Sequence, residues 1–122
     1  MLYSKKVIQH FQNPKNMGQM KNPDVMAEVD NKKCGDLMRI YLRIEKGKIK
    51  DISFETMGCV SAIATSSMIT EMAKGKTLDE AKKITYQDVT DELGQLPLIK
   101  VHCAGLAVET LRKAIEKYQE EN

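Results

Sequence analysis

The sequence predicts an α+β domain, a small three-stranded antiparallel sheet covered by helices, with a long helix at the C-terminal end. Three observations carry this. Apolar residues recur at every second position in three successive segments between residues 25 and 56. From residue 60 onward the apolar spacing becomes helical and does not return to alternation. The second and third alternating segments are joined by "EKGK", a hairpin turn rather than a crossover, so the strands form an antiparallel meander. Strands first and helices after is the α+β order.

Each element has its own signal. Ser4 is a helix N-cap, and Val7, Ile8 and Phe11 lie on one apolar face; Pro14 and Gly18 in "NPKNMG" stop that helix. "DVMAEVD" alternates Val25, Ala27 and Val29. After Asp36, Met38, Ile40, Leu42 and Ile44 face one way while Arg39, Tyr41 and Arg43 face the other. "IKDISFET" is the third strand, burying Ile52 and Phe54. In "GCVSAIATSSMITEMAKGK" the residues Ala62, Ile63, Met68, Ile69 and Met72 fall at helical spacing, and Gly75 ends the run. "TLDEAKK" is a capping box with Thr77 at the cap and Glu80 three residues on. "TYQDVTDELG" is a short helix capped by Thr85 and ended by Gly94. "QLPLIKVHC" is a stiff connector. From Ala104 to about Tyr118, Leu106, Ala107, Thr110, Leu111, Ala114, Ile115 and Tyr118 line a final helix. With no repeat, low-complexity linker or second domain, residues 1–122 read as one domain.

Composition narrows the function. The 122 residues are 42% hydrophobic and 30% charged, as in an ordinary globular protein with one core. A net charge of +2 is too mild for a nucleic-acid footprint, and 5% aromatics without Trp leave no stacking platform. No stretch is long and apolar enough to span a bilayer, and "MLYSKKVIQHF" lacks a signal core. The expected location is cytoplasmic, or matrix-like if a transit peptide has been removed. The eight methionines are core filler and lysine-rich stretches such as "KGKIK" are solvated turns.

Cys34, Cys59 and Cys103 are odd in number and show no CxxC spacing, which argues against a disulfide framework, a thioredoxin-like pair and the common zinc knuckles. Each falls at an element boundary. Cys34 precedes the long strand in "NKKCGDLMRI", where Gly35 allows a tight turn and Asp36 follows two residues on. Cys59 lies just before a helix, and Cys103, beside His102, opens the last one. Helix starts carry partial positive charge and favour thiolates, so these are places for metal-binding or nucleophilic sulfurs. Singly, a cysteine is a small buried hydrophobe, His102 a satisfied histidine and Asp36 a solvated turn residue. Together, they point to one shared object.

The residues also carry a family resemblance. "YSKKVIQHFQNPKNMG", "CGD", "GCVSAIATSS", "GKTLDEA" and "LPLIKVHCA" stand in the order of the signature segments of the IscU-type iron–sulfur cluster assembly scaffolds, equivalent to the N-terminal domain of NifU, and the chain resembles that family over nearly its whole length. The resemblance implies that Cys34, Cys59 and Cys103 are cluster and metal ligands, with Asp36 or His102 at the remaining position. It implies a 2Fe–2S cluster, with a 4Fe–4S cluster at a dimer interface as the other form. It also implies sulfur from a cysteine desulfurase, electrons from a donor such as a ferredoxin, and delivery to apo iron–sulfur proteins. Cys103 is the leading sulfur acceptor. His102 favours the IscU/NifU type over the SufU type, which lacks that histidine. The chain departs from the family before Cys34, where "NKKCGD" has lysines in place of a proline-containing lead-in. It departs again in Leu96, Pro97, Leu98, Ile99 and Lys100, where Leu98 replaces the second proline of a segment that a dedicated chaperone recognises.

With three sulfurs, a 2Fe–2S cluster needs one harder ligand, and a carboxylate there exchanges more readily than a thiolate. The expectation is therefore a scaffold rather than a turnover enzyme, a monomer or a cluster-bridged homodimer, with Asp36 as the labile ligand. Two other readings compete. One is a zinc protein or zinc-dependent sulfur acceptor using the same pocket. The other is a thiol enzyme with Cys103 as nucleophile and His102 as base, against which adjacent residues at a helix start seldom aim at each other.

Overall fold

Alternation puts the sheet where the sequence predicts it. In a computed structural model that describes residues 3–31, 35–94 and 101–121, β1 (Val25–Asn31), β2 (Asp36–Glu45) and β3 (Lys48–Met57) pair antiparallel in the order β1-β2-β3. The register sets Ala27 opposite Ile40 and Ile40 opposite Phe54, with Val25, Leu42 and Ile52 aligned beside them, so one face is continuously apolar and buried. Asp36 has the same parity as Met38, Ile40 and Leu42 and therefore points to that inner face. Ile49 and Ile52 are three residues apart and both buried. A register shift between Arg43 and Ile44 reverses the parity and makes that possible.

The opposite face is held by charges across the strands. Arg39 on β2 donates to Glu28 on β1 (2.5 Å and 2.9 Å) and to Glu55 on β3 (3.3 Å). Tyr41, on this side as its parity predicts, is nevertheless buried, with its hydroxyl donating to Glu55. Both sheet edges are blocked. Phe54 donates to Asn16 and accepts from Gly18, which closes β3, while Lys113 and Lys117 donate to the carbonyls of Glu28 and Met26 on β1.

The helices among the described residues are α1 (Lys5–Gln12), α2 (Val60–Ala73), α3 (Leu78–Lys82), α4 (Tyr86–Leu93) and α5 (Val101–Glu121), of which α2 and α5 lie against the inner face. Packed against α1, β3, α4 and α5, α2 is buried nearly all round rather than on one stripe. Ile63 and Met72, expected on its apolar face, are only half-buried, while Ser61, Thr65, Ser66, Ser67 and Thr70 are buried. A helix surrounded on every side has little room for large side chains, and hydroxyls fit because they bond locally. Thr65 donates to the Ser61 carbonyl (2.7 Å) and Thr70 to that of Ser67 (2.7 Å). Thr77 and Thr85 each head a capping box, the second completed by Asp88. The last helix begins at Val101, earlier than Ala104, so the final three residues of the expected connector are helical; its residues 95–100 lie outside the described ones. No described helix is long and apolar enough to cross a membrane.

Helix α1 docks through one fully buried apolar residue and polar ties near both its ends. Of Val7, Ile8 and Phe11 only Val7 is fully buried, and Phe11 is exposed. Ser4 caps the helix by accepting from the Val7 N–H (3.1 Å) and ties it to α4 by donating to the Leu93 carbonyl (2.5 Å). His10 Nδ1 meets Ser67 Oγ at 2.7 Å, and the same oxygen accepts from the Lys15 N–H (2.8 Å). Burial lowers the pKa of His10 from its ordinary 6.5, with Lys15 and Lys6 adding to the effect and Glu71 opposing it. On acidification the unfolded chain takes up this proton first, so the contribution of neutral His10 is complete above about pH 6.5 and is lost as pH falls through the lowered folded value. Thermal melts at about pH 7.5 and about pH 5.5 should show a lower Tm in acid, and His10→Gln should show a smaller drop. An equal drop in both proteins would remove His10 as a cause.

Candidate metal centre

Three chain segments meet at one end of the sheet. Gly35, with φ of 75°, makes the left-handed turn into β2, and its N–H donates to the Asn31 carbonyl (2.8 Å). Asp36 is then the first residue of β2, on the inner face and only 6% exposed. Cys59 follows β3 and stands at the N-cap position of α2 with extended backbone, where its sulfur makes no cap hydrogen bond. Cys103 is the third residue of α5 and 2% exposed. Two helix starts, each carrying partial positive charge, thus converge on a buried carboxylate and two sulfurs.

One ligand atom from each of Asp36, Cys59 and Cys103 lies within 4.8 Å of the others. The Cys103 thiol donates to Asp36 Oδ2 at 3.5 Å. His102 Nε2 lies 3.7 Å from the same oxygen and 3.5 Å from Cys103 Sγ. A tetrahedral metal with bonds of about 2.3 Å to sulfur and about 2.1 Å to oxygen separates those ligands by about 3.6 Å. The Cys103–Asp36 distance fits that spacing, and sulfur and carboxylate donors suit a thiophilic metal. His102 stands at the rim with its side chain 35% exposed, against 9% for Asp36.

The electrostatics correct one expectation. A helix start was expected to favour the Cys103 thiolate, yet its pKa is driven strongly upward, first by burial and then by Cys59 and Asp36. Both neighbours also hydrogen-bond to the thiol. The aim of His102 is corrected as well: adjacent residues at this helix start do approach, at 3.5 Å. A buried thiol with a raised pKa is nevertheless the reverse of an activated nucleophile. A bound cation changes the balance, because a coordinating thiol is deprotonated outright.

Of the expected site residues, Asp36, Cys59 and Cys103 come together and His102 borders them. Cys34 lies outside the described residues, as do Leu96, Pro97, Leu98, Ile99 and Lys100. Neither Cys59 nor Cys103 forms a disulfide. The inward aim of Asp36 was readable from its parity with Met38, Ile40 and Leu42, a signal hidden by its place in a turn motif.

Comparison with known proteins gives a consistent result. The profile of the NifU-like N terminal domain matches residues 2–122. The chain is 53% identical over 121 residues to an iron–sulfur cluster assembly scaffold protein, IscU 1 of Archaeoglobus fulgidus, covering 99% of this chain and 79% of that one. It is 44% identical over 123 residues to the scaffold protein IscU of Escherichia coli strain K12, covering 98% and 95%. Its fold matches the crystal structure of a nitrogen-fixing NifU-like protein (N-terminal) from Brucella abortus with a TM-score of 0.78 at 22% identity, over 99% of this chain and 96% of that one. If the sulfurs face a common metal, Co²⁺ added to the metal-free protein should give thiolate-to-cobalt charge-transfer absorption. Cys59→Ser and Cys103→Ser should each reduce that absorption and weaken binding by more than about tenfold. A variant that titrates like the wild type would take its cysteine out of the ligand set.

Proposed function

The chain belongs to the NifU-like N terminal domain family of iron–sulfur cluster assembly scaffolds, and from that premise we propose that it builds a transient 2Fe–2S cluster and passes it to apo-proteins. One observation carries the reading: two sulfurs and a buried carboxylate present ligand atoms within 4.8 Å of one another at the end of a sheet. Iron and sulfide are cargo here, so the protein is an acceptor and scaffold rather than an enzyme with turnover of its own.

The proposed ligands are Cys34, Cys59 and Cys103, with Asp36 or His102 completing the set. Iron in a sulfide cluster prefers thiolate, so an oxygen ligand is the weakest bond and the natural point of exchange. Asp36 lies against Cys103 and is proposed as that labile ligand, while His102, at the exposed rim, is the group that could replace it. The family resemblance implies a cysteine desulfurase as sulfur donor, and the electron count then calls for a reductant. A persulfide on a cysteine desulfurase delivers sulfur that needs two more electrons to become sulfide, so a donor such as a ferredoxin is required. Cys103 is the proposed acceptor of that sulfur. Its burial and raised pKa oppose ionisation, and a coordinating cation would favour the thiolate that accepts sulfur.

Protein purified without oxygen tests the whole reading. Brown protein containing iron and acid-labile sulfide supports it, and colourless protein that holds zinc and cannot be reconstituted anaerobically overturns it. Cys59→Ser should abolish the visible cluster absorption after anaerobic reconstitution. Asp36→Ala should assemble a cluster and release it several-fold more slowly to apo-ferredoxin or a chelator, by about 1 kcal/mol in the barrier. Unchanged or faster release would remove Asp36 from the labile position.

A further inference from the structure

Gly58 separates the end of β3 from Cys59, and its backbone is not left-handed, so conformational freedom does not explain it. Space does. A Cβ placed on Gly58 would lie 2.8 Å from Asp36 Oδ1, 3.1 Å from Asp36 Cγ and 2.7 Å from Ala62 Cβ, and real Cβ contacts under 3.0 Å essentially never occur. The remaining glycines differ: five meet nothing within 4 Å, and Gly94 meets only Ser4, at 3.3 Å.

The two atoms in the way cannot yield cheaply. Ala62 is the third residue of α2 and 3% exposed, so its methyl moves only with the helix start that carries Cys59. Asp36 is buried on a paired strand, and its short side chain can leave Gly58 only by turning. Turning carries away Oδ2, the oxygen that faces Cys103 at 3.5 Å and His102 at 3.7 Å. One carboxylate oxygen is thus seated against Gly58 while the other faces the donors.

We propose that Gly58 is the positioning residue for Asp36: its missing side chain is the seat that holds the carboxylate beside the two sulfurs, and so sets how the site grips and releases its metal. This rests on the reading that Asp36 is a ligand or gate of the site. Gly58 itself touches no metal and acts through Asp36.

Cobalt(II) binding to the metal-free protein tests this without iron, sulfide or a desulfurase. The comparison uses wild type, Gly58→Ala, Asp36→Ala and the double variant Gly58→Ala/Asp36→Ala. Gly58→Ala should shift the cobalt ligand-field bands in the same direction as Asp36→Ala and weaken binding by about tenfold. In the Asp36→Ala background it should change neither further. Gly58→Ala/Ala62→Gly removes the contact with the helix and leaves the one with Asp36, so it should melt near the wild type yet keep the altered cobalt spectrum.

A wild-type cobalt spectrum in Gly58→Ala/Ala62→Gly would overturn the proposal. So would an effect of Gly58→Ala that persists undiminished without Asp36, or failure to fold even when Ala62→Gly and Asp36→Ala are combined with it. The two readings fail separately. A protein that never assembles a cluster but shows the expected cobalt series loses the scaffold function and keeps the role of Gly58. One that assembles a cluster with cobalt spectra indifferent to Gly58 does the reverse.

Discussion

A carboxylate turned into the core at the start of β2 is the constraint on which this end of the molecule depends. Burying a carboxyl group without partners costs roughly several kcal/mol, and Asp36 is only 6% exposed. The surroundings offset that cost with what they have: the positive ends of α2 and α5, a donating Cys103 thiol, and His102 at 3.7 Å. None of these could be in place unless both helices began at this strand end. The same arrangement leaves the thiol unable to ionise readily, because burial, Cys59 and Asp36 all oppose a second negative charge. The apolar layer of the sheet and the acid at its edge belong to one face, so a register slip of one residue would lose both.

Precision at the site comes from α2. A helix packed on all sides cannot rotate or slide without breaking several sets of contacts, and its buried hydroxyls add directional ties. Ser67 receives Lys15 and His10 from the N-terminal segment, and Ser66 reaches Met38 Sδ at 3.3 Å. The segment held by Ser67 continues into Asn16 and Gly18, which close the outer edge of β3. Helix α2, β3 and the chain entering the fold are therefore tied to one another, and Cys59 sits at the junction of two of them. Such a platform holds the ligand atoms of Asp36, Cys59 and Cys103 within 4.8 Å of one another.

Much of this was legible in the residues, for physical reasons. Alternation in β1 to β3 determines both strand identity and facing, and the Thr77 and Thr85 caps announce their helices through local hydrogen bonds. Long-range packing was not legible. The hydroxyl-rich run "SAIATSS" gives no sign that its helix will be enclosed, because enclosure is decided by elements distant in sequence. The burial of Tyr41 depends on Glu55 across the strand pair, and the early start of α5 on chain whose apolar residues carry no helical period. At the site, the residue types pointed to metal chemistry, but the raised pKa of Cys103 arises from burial that no spacing reveals. The part played by Cys34 rests on the family alone.

Proton and metal compete for one geometry. The Cys103 thiol donates to Asp36 Oδ2 across 3.5 Å, and a tetrahedral metal would hold the same two atoms about 3.6 Å apart. Under the proposed function, exchange of proton for metal would therefore ask little of the backbone at Asp36 and Cys103. The burial and neighbouring groups that make the Cys103 thiolate costly would, under the proposed function, also favour return of the proton as a metal is released. A site built for permanent retention would be expected to relieve that cost, with a fourth sulfur in place of the acid and donors to stabilise thiolate. Here an acid is kept against the sulfur instead, the arrangement that the proposed transient scaffold would need.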